Sequence, residues 1–162
     1  MEASAPPEHA EPSRPRTRIG RYHLLRRLAA GHVTELHLAC AEVRTDPQEV
    51  VVLEHVLPDF ATESEFVALF REQLRIAATL DHPNVVRVNE LGESGPDCFY
   101  VMEYVHGRSA AEMFRTARTQ GPVPLEVALA ITMRAASALH YIHEAVDLSG
   151  ERLGLIHCGV CP

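Results

Sequence analysis

The hydrophobic pattern begins with two apolar stretches compatible with β-strands, at residues 22–28 and 33–41. Gly31 lies in the short segment between them, so the pattern predicts a hairpin with a glycine at its bend. An Asp-Pro turn at residues 46–47 leads to the β-branched run at residues 50–56. A continuous apolar run of this kind predicts a third strand that is buried on much of both faces.

The period then changes to that of an amphipathic helix over residues 63–80, with Thr62 or Ser64 as its N-cap. We expect the helix to end before Pro83, because proline disfavours helical backbone at the residue before it. The apolar positions that recur at helical spacing are Phe66, Leu69, Phe70, Leu74, Ala77 and Ala78.

Strand-like residues 85–91 and 98–105 flank a turn at residues 92–97 and predict a second hairpin. Two helices follow, at residues 109–119 and 125–145. This order predicts an α+β fold in which a five-stranded antiparallel sheet carries one helix and is followed by further helices. The last helix has an apolar stripe that needs a hydrophobic partner; it consists of Leu125, Leu129, Ala136, Leu139 and Ile142.

The composition narrows the class of protein. With 162 residues, of which 46% are hydrophobic and 23% charged, the chain fits one soluble globular domain. The net charge of -7 argues against nucleic-acid binding, and the apolar runs are too short to span a membrane. Residues 1–18 have the composition of a disordered tail without a secretory signal, so we expect a cytoplasmic protein with reduced cysteines.

Five segments carry a resemblance to a known family. They are IGRYHLLRRLAAGHVTELHLA at 19–39, VVLEHVLP at 51–58, FREQLRIAATLDHPNVVRV at 70–88, YVMEYVHGRS at 100–109 and LGLIHCGVCP at 153–162. In this order and at this spacing they resemble a protein kinase of the bacterial serine/threonine type. The resemblance implies a tail at residues 1–18, a kinase-like small lobe at 19–105 and a partial large lobe at 106–162.

The resemblance also indicates which catalytic positions are altered. The strand lysine that pairs with the ATP phosphates corresponds to Glu54, and the helix glutamate that pairs with this lysine corresponds to Gln73. Glu54 reverses the charge that faces a polyanion, and a charge pair about 4 Å apart is worth about 4 kcal/mol at an effective dielectric of 20. We expect Gln73 to hydrogen-bond Glu54 and to keep the helix docked without nucleotide.

The His-Arg-Asp segment of the family's catalytic loop corresponds to His157, Cys158 and Gly159. Gly159 takes the place of the catalytic base and has no side chain to accept a proton. His157 is interpreted as a packing residue. The sequence ends at Pro162, before the family's metal-binding Asn and Asp-Phe-Gly segment, so the resemblance implies neither a catalytic residue nor a metal site in this chain.

The outline of the adenine pocket is what the resemblance retains. Of the glycine-rich loop only Gly31 remains, and a single glycine is also typical of a β-turn. The remnant pocket comprises Leu28, Gly31, Val52, Met102, Glu103 and Val105. In the alternative interpretation, the apolar side chains of this set are core residues that fill the cleft. We expect no cofactor, and at most weak binding of ATP.

Three functions remain open at this point. The first is a catalytically inactive kinase-like module that regulates or binds another protein, such as a kinase or a signalling component. The second is a fragment or half of a serine/threonine kinase that binds ATP and phosphorylates protein serine or threonine. The third is a metal or redox protein that uses the Cys-x-x-Cys pair Cys158 and Cys161, although a structural zinc normally needs a second such pair.

Overall fold

The computed structural model describes residues 17–42, 50–62, 64–95, 97–147 and 149–161, apart from the side chain of Ser64. The predicted tail and the predicted turn at residues 46–47 lie largely or wholly outside this part of the chain. In chain order the elements are β1 (Arg18–Ile19), β2 (Tyr22–Ala30), β3 (Thr34–Ala41), β4 (Val51–Val56), α1 (Pro58–Ala61), α2 (Ser64–Ala77), β5 (Val88–Ser94), β6 (Asp97–Glu103), α3 (Ala110–Gln120) and α4 (Leu125–His143).

The strands form one antiparallel sheet in the order β1-β2-β3-β4-β6-β5. Both predicted hairpins are present, β2 with β3 and β5 with β6. After β4 the chain passes through α1 and α2 and then forms the second hairpin, whose second strand, β6, pairs with β4. The β-branched strand β4 therefore lies between β3 and β6. The predicted α+β class is confirmed.

The structure adds two short elements and tightens one turn. Strand β1, two residues long, brings the sheet from the five predicted strands to six, and the four-residue helix α1 precedes the predicted helix. Elements this short contain too few residues to show a hydrophobic period. The second hairpin does not turn over residues 92–97 as predicted, because β5 continues to Ser94 and β6 begins at Asp97.

One face of the sheet holds the main hydrophobic core. Its buried members are Ile19, Tyr22, Ala39, Leu53, Phe99 and Val101, with Leu24, Ala41 and Val51 packed against them. Tyr22 and Phe99 meet edge to face, with ring centroids 6.2 Å apart. Gly92 lies in contact with the Phe99 ring, and a Cβ at this position would approach ring atom Cε2 to 2.6 Å. The glycine therefore allows β5 to pass directly over a core aromatic ring.

The opposite face of the sheet carries helix α2 through a row of aromatic rings. Phe60 of α1 contacts Phe66, Phe66 contacts Phe70, and Phe70 contacts Tyr100 on β6, with centroids between 5.9 and 6.1 Å apart. Leu74, one turn further along α2, is buried. Most of the predicted amphipathic face of this helix thus packs as expected for a period of 3.6 residues, whereas Leu69, predicted to share it, is 58% exposed.

The two C-terminal helices begin where the sequence predicts. Ser109 caps α3 in a capping box, with its Oγ accepting from the Glu112 amide at 3.1 Å and the Glu112 carboxylate accepting from the Ser109 amide at 3.0 Å. Helix α4 starts after Pro124, whose fixed backbone and missing amide hydrogen suit the N-terminus of a helix.

Helix α4 docks against the loop that follows α2. The Asp81 amide donates to the Tyr141 hydroxyl at 2.9 Å, and the His82 Nε2 lies 3.2 Å from the Ser137 Oγ. The His82 and Tyr141 rings stack with centroids 5.0 Å apart. This small polar and aromatic contact joins the helical part of the chain to the sheet part.

The remaining surface of α4 is largely apolar and uncovered. Of the predicted stripe, Ile142 is buried and Leu139 half-buried, whereas Leu125 and Leu129 are 69% and 52% exposed. Met133 is 70% exposed on the same helix. No helix among the described residues combines the length and the apolar character needed to cross a bilayer.

We predict that Gly92→Ala destabilises the fold, because the added Cβ would overlap the Phe99 ring in the core. Overpacking of this kind costs about 1–3 kcal/mol of unfolding free energy, measurable by urea denaturation. Gly107→Ala is the matched control, since a Cβ there meets nothing within 4 Å. Equal stability of the two variants would contradict the proposed close contact.

Candidate functional site

Two predicted pocket residues of the central strands, Val52 and Met102, share one face of the sheet, whereas Glu103 pairs with Val51 and lies on the other face. Val52 on β4 pairs with Met102 on β6, and Glu54 pairs with Tyr100. Because side chains alternate across a strand, Val52 and Glu54 point to the same side, which is also the side that carries α2. Val52 is 8% exposed and Met102 is half-buried. An apolar wall therefore lies beside a single carboxylate.

Glu54 receives a short hydrogen bond from the Tyr100 hydroxyl. Burial is the main cause that raises the pKa of Tyr100 far above its ordinary value, and the hydrogen bond to Glu54 and the negative charge of Glu54 add to it. The phenol thus stays protonated and remains a donor. At the position that the sequence resemblance assigns to a phosphate-binding lysine, this chain has a carboxylate that accepts a hydrogen bond from a neutral group.

The structure gives Glu54 a partner other than the one expected. Gln73 is exposed on α2, and the hydrogen bond to Glu54 comes from Tyr100. The expectation of a bond from Gln73 was wrong because α2 is held to the sheet by the Phe70–Tyr100 contact. The neighbouring Glu72 is also exposed, 3.8 Å from the Arg75 guanidinium one turn along the helix.

The remnant of the glycine-rich loop forms a tight turn. The Gly31 amide donates to the Thr34 carbonyl at 2.9 Å, and a Cβ on Gly31 would lie 3.2 Å from that carbonyl oxygen. Leu28, on the strand before the turn, is 38% exposed. The tight turn is therefore a sufficient reason for a glycine at position 31.

The hinge segment is occupied by contacts within the sheet. The Glu103 amide donates to the Arg87 carbonyl at 3.0 Å, and the Arg87 amide donates to the Glu103 carboxylate at 2.8 Å. Val105, just beyond the end of β6, is 62% exposed. The Glu103 side chain therefore clamps β6 to the loop that precedes β5.

The segment that the sequence resemblance assigns to the catalytic loop is exposed. His157 and Gly159 lie on the surface, and the Gly159 amide donates to the His157 Nδ1 at 3.2 Å. Cys158, between them, has a left-handed backbone with a φ of 57°. His157 thus serves a local turn, and Gly159 adds no group that accepts a proton. Both Cys158 and Cys161 are free, exposed thiols.

A cluster of three metal-ligating side chains lies elsewhere, on the face of the sheet that carries the core. It consists of Glu35 and His37 on β3 and His55 on β4, and their ligating atoms all lie within 4.8 Å of one another. We name it the Glu-His-His cluster. Sequence reasoning missed it, because it searched for paired histidines on helices. The alternation Glu-x-His on one strand is the pattern that indicates two ligands on one face.

Comparison with known proteins places the chain in a family. The family model described as "Protein tyrosine and serine/threonine kinase" matches residues 22–147. The tyrosine-protein kinase MasK of Myxococcus xanthus is 37% identical over 145 residues, which are 88% of this chain and 22% of MasK. The serine/threonine-protein kinase PrkC of Bacillus subtilis is 34% identical, over 77% of this chain and 18% of PrkC.

A solved structure agrees with these relatives. The kinase domain of PknI from Mycobacterium tuberculosis superposes with a TM-score of 0.58 at 28% identity, over 76% of this chain and 48% of that domain. The fold is that of a protein-kinase small lobe with the start of the large lobe. The chain belongs to the protein kinase family, and it spans about a fifth of the length of the curated relatives that it matches.

We predict that Tyr100→Phe destabilises the chain, because it removes the donor to the Glu54 carboxylate and keeps the ring against Phe70. Because Glu54 is only half-buried, the loss of this hydrogen bond should cost about 0.5–1.5 kcal/mol of unfolding free energy, to be measured by urea denaturation. Tyr104→Phe is the control, because Tyr104 lies outside the central strands. Equal stability of Tyr100→Phe and the native chain would show that the bond carries no net energy.

The raised pKa of Tyr100 predicts a pH dependence. A group whose pKa is higher in the folded state stabilises the fold fully below its unfolded pKa, here about 10, and loses this contribution as pH rises above it. The difference in unfolding free energy between the native chain and Tyr100→Phe should therefore shrink above about pH 10. A difference that stays constant from neutral pH upward, in parallel denaturation series, would contradict this linkage.

Proposed function

We propose that this chain is a catalytically inactive kinase-like domain that acts by binding another protein in the cytoplasm, such as a kinase or a signalling component. The observation that carries the proposal is the position of Glu54. It stands on β4, at the position that the sequence resemblance assigns to the family's phosphate-binding lysine. It shares a face with Val52, a residue of the predicted adenine pocket.

The charge of Glu54 opposes nucleotide binding in the usual pose. The Tyr100 hydroxyl that donates to this carboxylate is neutral, so the negative charge of Glu54 remains. A phosphate oxygen about 4 Å away would be repelled by about 4 kcal/mol at an effective dielectric of 20. That energy corresponds to a loss of about three powers of ten in affinity.

The catalytic segment supports the same proposal. In the family an aspartate accepts the proton of the substrate hydroxyl, and Gly159 at this place offers only backbone atoms. The Gly159 amide donates to the His157 Nδ1, so both residues take part in this local turn. Transfer of a phosphoryl group would therefore lack both the phosphate anchor and the base.

The uncovered face of α4 supports a role in binding protein. Leu125, Leu129 and Met133 are each more than half exposed. An apolar surface of this kind is typical of a protein interface, because its exposure to water is unfavourable. In this proposal the α4 face packs against a partner protein, and the kinase fold serves as its scaffold.

The test is binding of MgATP to the purified chain, by calorimetric titration and by thermal melting at millimolar nucleotide. We predict no rise in melting temperature for the native chain, since a ligand that binds only the folded state must raise it. Glu54→Lys should bind MgATP at least about tenfold more tightly, because the charge that faces the phosphates changes sign.

Glu126→Lys is the matched control, because it makes the same charge change at an exposed position on α4. It should leave the nucleotide affinity unchanged. A clear melting shift in the native chain, together with incorporation of radioactive phosphate into a generic acceptor protein, would overturn the proposal. That outcome would favour the second candidate, a piece of an active kinase, to which the names of the relatives point.

A further inference from the structure

The Glu-His-His cluster joins two neighbouring strands on the face that is turned away from the cleft. Glu35 on β3 pairs directly with His55 on β4, and His37 lies two residues further along β3 on the same face. The Glu35 Oε2 lies 3.3 Å from the His37 Nε2 and 3.7 Å from the His55 Nε2. One carboxylate oxygen therefore stands between two imidazole nitrogens.

These spacings are close to those of a metal centre. A tetrahedral zinc ion with ligands at about 2.0–2.1 Å holds its donor atoms about 3.3 Å apart. The two distances from the carboxylate match this value within a few tenths of an ångström, and all three donors lie within 4.8 Å of one another. The rings of His37 and His55 have centroids 5.4 Å apart and are tilted by 31°. A small movement of the two rings toward each other would bring all three donor atoms to the spacing of a tetrahedral zinc site.

Two further contacts orient the ligands. The His55 Nδ1 donates to the Val56 carbonyl oxygen at 3.2 Å, which fixes the orientation of the ring. The Arg27 guanidinium holds the Glu35 Oε1 at 3.2 Å and leaves Oε2 to the histidines. A backbone carbonyl on one ligand and a charged group on another are the usual outer contacts of a metal site.

The two histidines of the cluster are buried, whereas its carboxylate can be reached from solvent. His55 is 3% and His37 9% exposed. Glu35 is half-buried, which leaves a route from solvent to its carboxylate.

We propose that Glu35, His37 and His55 bind a divalent transition-metal ion, zinc by the chemistry of the donors, with one coordination position left for water or an external ligand. Two imidazoles and one carboxylate are a donor set that zinc accepts in proteins. The ion would join β3 to β4. The other face of β4 carries Val52 and Glu54, so metal binding would stabilise the strand on which these two residues lie.

The experiment is a titration of ZnCl2 into the metal-free chain near neutral pH, followed by calorimetry and thermal melting. It uses the double variant Cys158→Ser, Cys161→Ser as the parent, because exposed thiols also bind zinc. We expect one zinc ion per chain and a melting temperature that rises with the zinc concentration.

Glu35→Gln and His37→Gln, made singly in this parent, should each weaken zinc binding by at least about tenfold. His23→Gln is the matched control, because His23 is exposed on β2 and outside the cluster, and it should bind zinc as the parent does. Cooperative melting of each variant without zinc shows that it is folded.

The parent chain gives a second measurement that needs no variant of a buried histidine. Co²⁺ in a four-coordinate site absorbs visible light strongly, and the parent should show this absorption, with Glu35→Gln losing it. Absence of stoichiometric zinc and of the Co²⁺ absorption in the parent would overturn the proposal. Zinc binding that survives both Glu35→Gln and His37→Gln would overturn it as well, since the ion would then lie elsewhere.

Discussion

The antiparallel pairing of β4 with β3 on one side and β6 on the other determines the face of the sheet on which each side chain of these strands lies. Hydrogen bonds between the strands fix the register, and the register fixes the face of each residue. Val52 and Glu54 therefore lie on the face that carries α2, whereas Leu53 and His55 lie on the core face. A shift of one residue would exchange the two sets, so the burial of Leu53 also fixes the face on which Glu54 lies.

Long elements with a strong period could be predicted from the sequence, and short ones could not. The β-branched run of β4, the aromatic face of α2 and the capped start of α3 each depend on neighbouring residues, which the sequence displays directly. Strand β1 forms only because β2 offers an edge to it, and α1 because the chain must leave β4 for α2. Their formation depends on tertiary structure rather than on local preference.

The same distinction applies to the candidate site. Glu54 could be identified from its place in a known motif, and its face from the alternation of a strand. Its donor Tyr100 could not, because the pairing of β4 with β6 skips β5 and joins residues 46 positions apart in the chain. The Glu-His-His cluster was equally hidden until the register between β3 and β4 set Glu35 opposite His55.

The contact of His82 with Tyr141 and Ser137 has a mechanical consequence. Among the described residues, α3 and α4 are joined to the sheet covalently through residues 104–109 and by this docked contact at residues 81–82. The orientation of α4 relative to the sheet therefore depends on a few polar and aromatic side chains rather than on a shared hydrophobic core.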